Sequence, residues 1–136
     1  MLIAVVLCCT ATKVIPAQTT DARQPLVIGG TEGIDGTNCE TTKSDFDSIA
    51  SATRSGLIII IARRGRGERS STIVARRLQN IRGYLMATRG VQEHDIVTAQ
   101  GEPTNGLGQV EVYISGNLFV KFLMKTNRDF FKNCAA

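Results

Sequence analysis

The feature that most constrains the fold is an unbroken apolar run from Leu57 to Ile61, which reads LIIII. Consecutive isoleucines favour an extended backbone, because β-branched side chains lose rotamer freedom in a helix and pack well on a pleated surface. Gly56 precedes the run and an arginine-glycine loop follows it, so the length suits a strand. We therefore predict a central strand that is buried on both faces.

A short amphipathic helix is predicted immediately before this strand. Ser44 is its expected N-cap, and Gly56 is its expected C-terminal stop. Apolar or small side chains recur at helical spacing along it, at Phe46, Ile49, Ala50 and Thr53. One face of this helix is therefore expected to pack against the sheet.

A longer helix is predicted after the strand, from about Ser71 to Arg89, with Ser70 or Ser71 as the N-cap and Gly90 ending it. Its apolar stripe advances in steps of four, three and four residues, through Val74, Leu78, Ile81 and Leu85. Such a stripe covers one side of a helix, so this helix should also lie on the sheet.

Four further strands are predicted, one before the first helix and three after the second. Residues 95–99 (DIVTA) favour a strand, and Leu26 to Ile28 form a short apolar triplet near the N-terminus. Residues 109–114 and 118–124 flank the turn Ser115-Gly116-Asn117, which is typical of a β-hairpin. The fold class predicted from this order is α+β, a two-layer sandwich in which a mixed sheet carries both helices on one face and ends in the hairpin.

The N-terminus predicts export. Residues 2–9 (LIAVVLCC) form an apolar run, and a signal peptidase could cut after Ala17. The run is too short for a permanent membrane anchor. Residues 1–17 are therefore interpreted as a signal peptide, residues 18–41 as a flexible segment and residues 42–136 as the folded domain, located in the periplasm or secreted. The alternatives are a lipid anchor on Cys8 or Cys9, and a chain that is not exported.

Two cysteines, Cys39 and Cys134, remain once such a signal is removed. An even pair in an exported chain predicts one disulfide. Closing a loop of this length would stabilise the fold by about 4 to 5 kcal/mol in the chain-entropy description. The alternative is a pair of free thiols in a cytosolic protein.

Basic residues are concentrated in one part of the chain. Of the 16 lysines and arginines, eight lie between Arg63 and Arg89; all eight are arginines, and Glu68 is the only acid among them. Such a cluster favours an anionic partner, although a solvated, solubilising loop is the alternative for Arg63, Arg64 and Arg66.

Several motifs between Leu57 and Ile114 occur in a known order. The apolar strand ends in a glycine-containing loop. The second helix then contains RRLQNIRGYL at residues 76–85, and it is followed by RGVQEHDIVTAQGE at residues 89–102. An Asn-Gly loop then leads to the strand QVEVYI. This stretch resembles the peptidoglycan-associating C-terminal domain of the OmpA family. The resemblance implies a βαβαββ sandwich that binds peptidoglycan in the periplasm without catalysis.

The resemblance also implies a ligand-binding role for Arg77, whose counterpart pairs with a carboxylate of the wall peptide. The family's strand-end Gly-His-Thr-Asp is replaced here by IARRG at residues 61–65, so the Asp that binds the ammonium group of diaminopimelate is absent. The family's later Asn-Arg-Arg signature is replaced by GLGQ at residues 106–109. The candidate ligand-binding residues are therefore Arg77, Arg64, Arg63 and Asn105.

The position of Arg77 can be argued from the helix alone. At 100° per residue it falls between Ile81 and Tyr84, at the edge of the apolar stripe, where a half-buried guanidinium needs a partner. That partner is either a carboxylate of a ligand or a carbonyl or acid of the same chain. An internal acid would favour an interaction domain that keeps the fold, has lost the wall-binding site and uses its arginine-rich loop to contact another anionic partner.

No catalytic arrangement is apparent in the sequence. His94 is the only histidine, and we expect an exposed imidazole without a partner in a turn before a strand. No Ser-His-Asp, Cys-His or metal-ligand spacing is present, so no enzyme activity, metal or cofactor is predicted. The chain has no tryptophan and two tyrosines, which offers little for stacking bases, so nucleic acid is not an expected partner.

Overall fold

A computed structural model describes residues 26–28, 39–53 and 56–131 of the chain. Its elements are β1 (Leu26–Ile28), α1 (Cys39–Ala52), β2 (Ile58–Arg63), α2 (Thr72–Arg89), β3 (Ile96–Gly101), β4 (Gly108–Ile114) and β5 (Asn117–Met124). The sheet order is β1-β5-β4-β2-β3. Strand β2 pairs with β3 in parallel and with β4 antiparallel. The predicted α+β class, with a mixed sheet, two helices and a C-terminal hairpin, is confirmed.

The isoleucine run forms the central strand β2, but the prediction that both its faces are buried is wrong. Ile58 and Ile60 are fully buried on the side that carries the helices. Ile59 and Ile61 point the other way and are partly exposed, and Leu57, just before the strand, is 44% exposed. The reason is that the two helices supply one covering layer, so the second face of β2 has no helix over it in the described part of the chain.

Helix α1 begins earlier than predicted. It starts at Cys39, so Ser44 is not an N-cap but lies inside the helix, where its carbonyl accepts a hydrogen bond from the Ser48 hydroxyl at 3.0 Å. Thr42 is buried, which shows that the preceding turn belongs to the packing face, and Glu40 in the first turn complements the helix dipole. The helix ends at Ala52, before the predicted stop at Gly56.

Helix α2 matches its prediction closely. Ser71 precedes it, and Gly90 ends it with φ 68° in the left-handed region that glycine adopts without strain. All four residues of the predicted stripe are buried: Val74, Leu78, Ile81 and Leu85. The helix contacts β2 and β3 and packs beside α1 on the same layer.

An aromatic cluster joins the two layers. The ring of Phe46 on α1 lies 5.6 Å from Tyr84 on α2 and 5.8 Å from Phe122 on β5, between ring centroids. Phe130 and Phe131, which follow β5, pack on Phe46 at 5.1 and 5.3 Å. Residues 125–131, the described part of the segment after β5, contain no helix or strand, yet they supply two rings to the core. This part of the segment is therefore held firmly over the same end of the sheet as the loop after β2.

Candidate functional site

Arg77 is fully buried, deeper than the half-buried position expected from the helical wheel. Its guanidinium forms an ion pair with Glu68, with Nη1 at 3.1 Å from one carboxylate oxygen and Nη2 bonded to the other. It also donates to the backbone carbonyl of Arg128, from Nε at 2.9 Å and from Nη2 at 2.7 Å. The partner that this guanidinium needs is thus an acid of the same chain.

Glu68 is equally enclosed, with 4% of its surface exposed. Its carboxylate accepts the backbone N–H of Gly65 at 2.7 Å and that of Asn127 at 3.0 Å in addition to the Arg77 bonds. Burial acts to raise the pKa of this carboxyl, but the bonds from Arg77, Gly65 and Asn127 outweigh burial and hold the pKa below its usual value. Glu68 is therefore ionised at neutral pH.

The pair fastens three parts of the fold together. Glu68 lies in the loop between β2 and α2, Arg77 lies on α2, and Arg128 follows β5. Gly108, at the start of β4, packs so closely that a Cβ built on it would lie 2.5 Å from Nη1 of Arg77. In this arrangement the guanidinium is occupied by the protein's own groups, which is the outcome that favours a structural role for Arg77.

The loops at this end of the sheet form one surface, which we call the basic end: residues 64–71, 102–107 and 125–128. The backbone N–H of Arg66 donates to the carbonyl of Gly106 at 2.7 Å, and that of Thr104 donates to the carbonyl of Arg64 at 2.8 Å. The structure therefore brings two of the predicted site residues together here, since Arg64 and Asn105 lie on adjoining loops. Asn105 is exposed.

Three arginines of the basic end form no ion pair with any residue that the structure describes. Arg66 and Arg69 are exposed and Arg64 is half-buried. Lys125 and Arg128 add two cationic residues on the neighbouring turn, whereas Glu102 is the exposed acid of this surface. The buried Glu68 is neutralised by Arg77 and does not offset these charges. The three arginines without an ion pair in the described chain therefore make the basic end a cationic surface.

The other arginines of the cluster all have acidic partners. Arg63 belongs to the open face of the sheet, where its Nε lies 3.4 Å from Glu111, so it is separated from Arg64 although adjacent in sequence. Arg89 pairs with Asp47, and hydrogen bonds from Arg89 and from the Tyr84 hydroxyl lower the pKa of that carboxyl. Arg82 pairs with Glu93, and Arg76 lies 3.7 Å from Asp129.

His94 lies in a short 3-10 turn, Glu93–Asp95, with 80% of its side chain exposed. The expected exposure is thus confirmed, but the expectation that it has no partner is wrong, because Nε2 lies 3.5 Å from Asp95. Within the described ranges, no group of three or more His, Cys, Asp and Glu side chains is placed to hold a metal ion. Among the helices described, none is long and apolar enough to cross a bilayer.

Cys39 is disulfide-bonded. Its predicted partner, Cys134, lies outside the described residues, as do the predicted signal peptide at 1–17 and most of the predicted flexible segment at 18–41. Strand β1 at Leu26–Ile28 is the described part of that segment before Cys39, and it pairs in parallel with β5.

Sequence reasoning missed Glu68 as the partner of Arg77. The available signal was that Glu68 is the only acid among eight arginines and lies in the loop that leads into α2. No family model, no curated protein and no solved structure matches the chain. The geometry of the basic end and of the Arg77–Glu68 pair therefore carries the functional argument.

Proposed function

We propose that the chain is an exported, non-enzymatic domain of the OmpA-like type that associates with an anionic polymer of the cell envelope through its basic end. The carrying observation is the division of the arginine cluster. Arg77 is closed inside the protein by Glu68, whereas Arg64, Arg66 and Arg69 present guanidinium groups without acidic partners in the described chain. Guanidinium groups bind carboxylate and phosphate through charge-assisted hydrogen bonds.

This proposal assigns the two sets of arginines different tasks. Arg77 shapes the basic end from below, because its bonds to Glu68 and Arg128 hold two of the three loops in position. The exposed arginines make the contacts with the partner. Because Arg77 is paired with Glu68, the carboxylate contact that the resemblance implies for Arg77 is closed, and the contact that we propose is made by the loop arginines instead. Peptidoglycan is the polymer that we propose first, because its peptides carry carboxylates that these guanidinium groups can bind. The disulfide at Cys39 supports an exported location.

A pull-down of the full chain with purified peptidoglycan tests the proposal. One variant carries Arg64→Gln, Arg66→Gln and Arg69→Gln, and a control carries the same charge change on the helices, Lys43→Gln, Arg82→Gln and Arg89→Gln. We expect the loop variant to lose binding and the helix control to keep most of it. Circular dichroism would confirm that both remain folded.

A second pair of outcomes separates the two arginine sites. The double variant Arg77→Met with Glu68→Gln removes the buried charges and keeps an amide oxygen for the backbone N–H groups at position 68. We expect it to bind peptidoglycan if it folds. Binding that is lost in this folded variant and kept in the loop variant would move the site to Arg77, and a wild-type chain that does not bind would overturn the function itself.

A further inference from the structure

Strand β3 is an unprotected sheet edge. It ends the strand order and pairs with β2 on one side, and the described part of the chain places no strand on its other side. The four residues Val97 to Gln100 are all exposed, and β3 contains no charge and no proline. Natural sheets normally protect such edges with charges, prolines, bulges or very short strands. The opposite edge is of the protected kind, because β1 has three residues.

An apolar patch adjoins this edge on the open face of the sheet. Val97 and Leu57 are 45% and 44% exposed, and they are the exposed large hydrophobic residues of the described chain. They share a face, because Val97 pairs with Ile59 and Leu57 lies two residues before it. A strand added beside β3 would place its side chains directly against Val97. The free edge and the apolar patch thus point to the same location.

We propose that β3 pairs antiparallel with β3 of a second copy of this chain, forming a continuous ten-stranded sheet around a two-fold axis at Thr98. In that register the two Thr98 residues face each other, and Val97 faces Ala99 of the second copy. Opposed residues then share a face, so the helices of both copies lie on the same side of the joint sheet.

Charge complementarity selects a second copy as the occupant. Antiparallel pairing brings the acidic start of β3, with Glu93 and Asp95, beside the end of β3 in the other molecule, where Arg63 lies on the neighbouring strand and pairs with Glu111. Asp95 would face Gly101 of the second copy, which lies directly under the Arg63 guanidinium: a Cβ on Gly101 would be 2.6 Å from Nη1 of Arg63. His94 would face Glu102. The two basic ends point away from each other, so their repulsion is small.

The shape of the molecule also fits this pairing. Helix α2 lies over β2 and β3. With strands about 4.8 Å apart, a helix midway over these two strands would lie about 10 Å from its symmetry mate, the spacing at which helices pack. Ala75 and Gln79, on the flank of α2 toward the edge, are exposed and uncharged. Arg82 lies on the same flank, where its charge is offset by the ion pair with Glu93.

Sedimentation velocity of the full chain over a range of concentrations tests the proposal. Thr98→Lys and Thr98→Glu each place like charges opposite themselves at the axis, which disfavours pairing. We expect a concentration-dependent dimer for the wild type, monomers for either variant alone, and dimers again when the two variants are mixed. Ala87→Lys, on the exposed side of α2, serves as a matched control that should still dimerise.

Each alternative outcome overturns the inference. A wild type that remains monomeric at all concentrations excludes self-pairing. A wild-type dimer that persists in both Thr98 variants, with no gain on mixing, places the interface elsewhere. Thermal melts show whether the variants are folded, and restoration on mixing cannot come from misfolded chains.

Discussion

Removing Arg77 is expected to destabilise the fold far more than removing any exposed arginine. In Arg77→Ala, the Glu68 carboxylate keeps the N–H groups of Gly65 and Asn127 but loses its counter-charge while 4% exposed. The Arg128 carbonyl loses its donors as well. Leaving one member of a buried pair uncompensated costs about 3 to 5 kcal/mol. That cost is a large share of the total of about 5 to 15 kcal/mol typical of a small domain.

The assay is urea or guanidinium unfolding of the wild type and variants, followed by circular dichroism at neutral pH. The control is Arg82→Ala, which breaks the pair with Glu93 on the surface, where 71% of the glutamate side chain is exposed. Surface pairs contribute about 0 to 1 kcal/mol, so this control should stay close to wild type. A loss below about 1 kcal/mol for Arg77→Ala would refute the reasoning, because the guanidinium would then be hydrated and open to a ligand.

Three further predictions use the same unfolding assay. The pKa of Glu68 is lower in the folded state than in the unfolded state, so its stabilising contribution is complete above pH 4.5, the ordinary pKa of a glutamate. The contribution is lost as the pH falls through the folded pKa. A wild-type free energy of unfolding that is flat below pH 4.5 would contradict this. Gly65→Ala should destabilise the fold, since the new Cβ would lie 2.2 Å from the Gly108 nitrogen. Gly83→Ala, at an exposed position of α2, would bring its Cβ near no atom and should stabilise the fold by about 0.5 to 1 kcal/mol. Equal effects of the two substitutions would contradict the close packing of Gly65 against Gly108. Phe46→Ala should cost about 3 to 5 kcal/mol because four rings contact it, and a loss under about 1 kcal/mol would show that the cluster is not packed as described.

The elements with strong local signals were predictable from the sequence. The apolar stripe of α2 and the glycine that ends it were enough to predict that helix. The turn at Ser115 and Gly116, with φ of 51° and 81°, was enough to predict the hairpin. Local pattern could not give the burial of Ile59 and Ile61, because it depends on how many layers cover the sheet. The start of α1 was misjudged because Ser44 has the chemistry of a cap, while tertiary packing of Thr42 extended the helix before it.

The candidate site was only partly accessible to sequence reasoning. The cationic loop was visible as a run of arginines, and the structure places Asn105 on a loop that adjoins it, while its role in binding stays a prediction. The partition of those arginines into paired and unpaired groups was not visible, because it depends on contacts across the fold, such as Arg63 with Glu111 and Arg89 with Asp47. The partner of Arg77 comes from a loop whose path is set by Gly65 and by the turn after β5.

The most direct test of the account is the affinity of the full chain for purified peptidoglycan, measured for the Arg64, Arg66 and Arg69 glutamine variant beside the helix control of equal charge. Exposed ion pairs contribute about 0.5 kcal/mol each, so losing three predicts a decrease of about tenfold in the loop variant alone. An equal decrease in affinity in both variants would show that binding depends on net charge and not on the position of the arginines. An unchanged affinity in the loop variant would contradict the assignment of binding to the basic end.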